Sequence, residues 1–141
     1  MPLPVLAALA ALNRTPEQLA QIDAACREMG EASSLEARTG ADVRFHLAIL
    51  QAAGNEFLVP FGFLIESGLA HVFEHTTRHI GDVKEAQSLH ERIAKAIREQ
   101  KPRIASTTVK LLLANTDGVI LRSFSPARRT KARSGEIKLP L

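Results

Sequence analysis

A chain of 141 residues, 45% of them hydrophobic, is enough for one domain with a sizeable core that needs no disulfide staples. Its single cysteine, Cys26, excludes an internal disulfide and points to a reducing compartment, the cytoplasm, while no apolar run approaches the ~18 residues that span a bilayer. The net charge of +3 does not mark a nucleic-acid-binding body: residues 124–141 hold five basic residues against one acid, leaving 13 basic and 14 acidic residues for positions 1–123.

Aromatic residues make up only 4%, Trp and Tyr are absent, and Val, Ile and Thr form no alternating runs. Ala, Leu, Glu, Gln and Arg dominate instead, which predicts an all-α fold. The opening "MPLPVLAALAALN" lacks the basic start of a signal peptide and reads as a first helix over about 3–12. "NRTPEQLAQ" starts a second helix over about 15–32, with Thr15 as N-cap, Pro16 at the first helical position and Gln18 as the return half of a capping box. The stretch "GEASSLEARTGA" separates it from a third helix within "ADVRFHLAILQAAGN", residues 41–55.

After the Gly-Asn break in "AAGNEF", a long fourth helix is expected through His79, with Pro60 tolerated in its first turns. Gly81 stops it and Asp82 caps the next, and "EQKPRI" precedes a last helix to about Arg122. Short loops favour an antiparallel bundle of about six helices over residues 1–123. Residues 124–141, rich in Ser, Gly, Pro and basic groups, read as a flexible, solvated tail.

Ionisable residues interrupt two of the apolar faces. On a helical wheel Asp42 and His46 fall among Val43, Phe45, Ile49, Leu50 and Ala53, with Arg44 and Gln51 on the other side. His90 falls among Val83, Ala86, Ile93, Ala94 and Ile97. Unpaired charge there costs several kcal/mol, roughly. From spacing alone, a neutral His bonded to Asp42 stands ahead of the sharper alternative, a cation shared by a carboxylate and an imidazole at i and i+4 with His90 closing the site. His71, His75 and His79 form a second stripe, read as pocket-lining or surface residues, and Cys26 as a small, partly buried thiol.

"ADVRFHLAILQAAGNEFL" followed by "LHERIAKAIREQKPRIASTTVKLLLA" resembles the FCD domain, the effector-binding domain of the FadR branch of GntR-type bacterial transcription regulators. A weaker likeness reaches back to "LAALNRTPEQLAQIDAACREM", so the resemblance covers about residues 3–122. It implies an antiparallel helical bundle, usually a homodimer, that binds a small carboxylate effector and in many members a divalent metal, zinc or nickel, through one Asp and three His. Asp42, His46 and His90 then take three of those places, and the fourth falls on Leu112, which cannot ligate. Either water or effector oxygens complete a three-liganded site, or the pocket works without metal.

Thr108, Asn115 and Thr116 share the Leu112 face and offer polar groups to a water or the ligand. The ending "LLANTDGVI" looks like the subset that responds to sugar acids such as galactonate, which makes a sugar acid the first effector expected. Arg44 is a further ligand-binding candidate by its bidentate chemistry, although the wheel turns it away from Asp42. The family's winged helix-turn-helix is not seen before the first helix, so sequence-specific DNA binding is not expected from this chain, nor is membrane association.

The leading expectation is a binding module without catalysis. One alternative is a metal-dependent enzyme using Glu66 or Glu74 as acid or base, and another is a metal-free helical interaction module. The apolar excess of "FLVPFGFLIESGLAHVF" argues for dimerisation.

Overall fold

The computed structural model describes residues 3–58 and 83–124. The expected fourth helix, with Pro60, Glu66, His71, Glu74, His75 and His79, and the basic tail fall almost entirely outside the described residues. Among the described residues there are five α-helices and no strand: α1 (Leu3–Asn13), α2 (Pro16–Glu31), α3 (Leu35–Ala52), α4 (Val83–Arg98) and α5 (Pro102–Phe124), with a 3-10 turn at Glu56–Leu58.

The start of α2 follows its local chemistry. Thr15 adopts an extended backbone, its hydroxyl accepts from the Gln18 amide at 3.1 Å, and the Gln18 side chain accepts from the Thr15 amide at 2.9 Å. This is the expected capping box. The stretch after α2 departs from expectation: only Ala32–Ser34 interrupt the helices, and α3 begins at Leu35 rather than near residue 41. Ser34 supplies the reason, because its side chain accepts from the Ala37 amide at 3.1 Å and so caps a helix that runs through Gly40. A mid-helix glycine costs about 1 kcal/mol, which burial on this face offsets. The consequence for function is that Arg38 and Thr39 are helical and share an element with Asp42.

Gly54 ends α3 in the left-handed region (φ 79°), as the Gly-Asn break predicted. At the end of α4 the same role falls to Gln100 (φ 53°), where Lys101 N–H donates to Ala96 O at 2.8 Å and Gln100 N–H to Ile97 O at 3.2 Å. That pair of bonds is a Schellman motif with glutamine where glycine is usual.

The core sits around α1, which is apolar around most of its circumference and packs against α3, α4 and α5. Ala7, Ala10 and Ala11 let its neighbours approach closely, and Leu6, Ile22, Met29, Phe45, Ile49, Ile93, Ile97 and Val109 fill the space between. Side-chain bonds to carbonyls tie the ends: Asn13 Nδ2 donates to Ala53 O at 2.9 Å, and Arg14 Nη2 to Arg98 O at 2.8 Å. No helix among the described residues is long and apolar enough to cross a membrane.

Candidate metal and effector site

Asp42 and His46 lie one turn apart on α3, and α4 packs so that His90 faces both. Asp42 Oδ1 stands 3.2 Å from His46 Nε2 and 3.2 Å from His90 Nε2. His46 and His90 are buried and Asp42 is partly buried, with 7%, 5% and 14% of their side-chain surface exposed. Phe45, fully buried, sets its ring edge-on to both imidazoles at 5.5 and 5.2 Å and so fixes their planes.

His90 carries the most informative contact. Its Nδ1 lies 2.7 Å from Ala86 O, a group that can only accept, so Nδ1 holds a proton. If Nε2 carried none, its lone pair would face the Asp42 carboxylate at 3.2 Å without anything between them. A proton shared between the two groups, or a metal ion, would relieve that repulsion. The Ala86 carbonyl therefore orients His90 as the backbone partner of a ligating histidine does, leaving Nε2 as the donor atom.

Burial alone pushes the Asp42 carboxyl up, but hydrogen bonds from His46 and His90 and their charges outweigh it and hold the group well below the usual carboxylate range. Asp42 is thus an anion in a dry place. One carboxylate oxygen and two imidazole nitrogens lie within 4.8 Å of one another, a set that could hold a metal ion. Bonds of about 2.0–2.1 Å in a tetrahedral sphere place neighbouring donors about 3.3 Å apart, close to both 3.2 Å separations. The donor set and its geometry fit a divalent ion such as zinc or nickel.

The other residues singled out in the sequence are placed differently. Arg44 is exposed on the far side of α3 and pairs with Glu28 at 2.7 Å, so the structure does not bring it to the three-residue cluster. Thr108 is buried on α5, with its hydroxyl donating to Ile104 O at 2.7 Å. Asn115 lies half-buried on the same helix one turn beyond Leu112, and Leu112 itself is a core residue that offers no ligand atom. Cys26 is buried, and burial, followed by the charges of Glu91 and Asp23, pushes its thiol up to about 11, as expected for an unreactive core thiol.

Two residues near the site escaped sequence reasoning. Arg38, one turn before Asp42, donates to Met29 O at 3.1 Å and to Val83 O at 3.5 Å, joining α3 to the end of α2 and the start of α4. Thr39 is buried, with a hydroxyl that has no hydrogen-bond partner among the described residues. Both lie in the stretch read as a loop. The Ser34 N-cap, followed by Glu36 in the first turn, was the available signal.

An all-α bundle that buries a carboxylate and two imidazoles between two helices defines a class: a helical ligand-binding domain with a candidate metal centre. Comparison with known proteins supplies the family, for the FCD domain profile matches residues 4–115, and the chain belongs to the FCD family. It is similar to the galactonate operon transcriptional repressor of Escherichia coli (strain K12), 32% identical over 117 residues that make up 80% of this chain and 50% of that protein. The chain spans about half the length of this curated relative.

Proposed function

We propose that this chain is the effector-sensing module of a FadR-type transcription regulator, in which Asp42, His46 and His90 hold a divalent metal ion and a small carboxylate completes its sphere. The observation that carries the reading is the meeting of two imidazole Nε2 atoms on one carboxylate oxygen, an arrangement that suits a shared cation. When bound, zinc or nickel supplies positive charge and exchangeable positions that attract an acid group. Leu112 supports an open sphere, since it contributes no atom where the family resemblance implies a fourth ligand.

A sugar acid is the first effector proposed, by similarity to a repressor whose name refers to galactonate. The site residues come from α3 and α4, so occupancy biases the packing of those helices. Arg38 bridges α3 to both α2 and α4 and carries that bias to the start of α4. The apolar excess of "FLVPFGFLIESGLAHVF" in the sequence supports a homodimer.

Native mass spectrometry of the chain with zinc, nickel and a panel of sugar acids tests the proposal. The expected spectrum shows a dimer with one ion and one acid per chain. An ion-free chain that binds no acid at millimolar concentration contradicts it.

A further inference from the structure

We propose that the Thr39 hydroxyl is a recognition group of the effector site and that it hydrogen-bonds a hydroxyl of the acid held at Asp42, His46 and His90. The inference rests on the functional reading above and adds a residue that reads the effector's chemistry.

Thr39 is only 7% exposed, and its Oγ1 has no hydrogen-bond partner among the described residues. Buried hydroxyls are nearly always paired, and a threonine in a helix has an easy solution in the carbonyl four residues earlier. Thr108 takes that solution at 2.7 Å from Ile104 O, whereas Thr39 does not. The two buried threonines are thus in different states: one is satisfied by its own helix, and the other keeps both its donor and its acceptor capacity.

Position gives the orphan hydroxyl its meaning. At about 100° per residue, Thr39 stands about 60° from Asp42, on the same side as His46 at about 40°, and about 4.5 Å from Asp42 along the helix axis. An acid whose carboxylate meets the ion between Asp42, His46 and His90 extends by two or three carbons over that distance. A polyhydroxylated acid offers a hydroxyl there, while a plain fatty acid of equal length leaves Thr39 unpaired. Thr39 therefore favours hydroxy acids over alkyl acids, because pairing a buried polar group is what separates such ligands most strongly.

The test compares wild type, Thr39→Val and Thr39→Ser, each zinc-loaded, by calorimetric titration with galactonate and by metal analysis. Thr39→Val keeps the shape, and its melting temperature in the absence of effector should equal or exceed that of wild type, since it removes an unpaired hydroxyl. Metal content should stay the same, galactonate affinity should fall about tenfold or more, and Thr39→Ser should retain most of it. Unchanged affinity in Thr39→Val overturns the inference and leaves the function proposed above intact, showing that Thr39 meets only a water. Failure of wild type to bind galactonate or any other sugar acid overturns both. If Thr39→Val does not fold, a loss of affinity in Thr39→Ser equal to that in Thr39→Ala overturns the inference.

Discussion

His90 shows how one backbone carbonyl decides the chemistry of a side chain. With Nδ1 committed to Ala86 O at 2.7 Å, the opposite nitrogen is the only atom left to face Asp42. Position on two apolar helix faces was enough to single out Asp42, His46 and His90 in the sequence, because helical periodicity fixes which side chains turn inward. It could not show that one carboxylate oxygen serves both imidazoles, which depends on how α1 and α2 hold α3 and α4. Asp42 also makes the site sensitive to acid. Its folded carboxyl titrates below its unfolded value, so ionised Asp42 contributes stability above about pH 4, which is lost as pH falls toward the folded value. Melting curves of the chelated protein from pH 6 to pH 3 should therefore drop more steeply for wild type than for Asp42→Asn, and parallel curves would show that the Asp42 contacts add no net stability.

At the scale of elements, the helix ends were read well where a capping residue carries its own signature and poorly where composition misleads. Thr15, Pro16 and Gln18 form a pattern with one interpretation. Ser33, Ser34, Thr39 and Gly40 together look like a loop, yet the Ser34 cap and the burial of Thr39 and Ala41 make helix the better state. Misplacing that boundary hid Arg38, which bonds to Met29 and Val83, and the buried Thr39, both on the helix that carries Asp42. The turn between α4 and α5 yields a prediction of its own. Gln100 occupies a left-handed position that suits glycine, so Gln100→Gly should stabilise the fold by about 0.5–1 kcal/mol, read as a rise of a few degrees in melting temperature. A fall would mean that the Gln100 side chain contributes more than its backbone conformation costs.

For the whole molecule, the all-α architecture was legible in composition and pattern, since few aromatic residues, no alternating runs of Val, Ile and Thr, and many Ala, Leu, Glu and Arg leave little else to build. The alanine-rich α1 packs closely against α3, α4 and α5, and the all-α bundle agrees with membership of the FCD family. The proposed function stands on side chains from α3 and α4, two helices each packed on α1 and α2, meeting to form one cation site. Elemental analysis of dialysed wild type and His90→Ala, both confirmed as folded by circular dichroism, tests it most directly. One zinc or nickel ion per wild-type chain and none in His90→Ala is the predicted result, and an equal, stoichiometric metal content in the two proteins would contradict it.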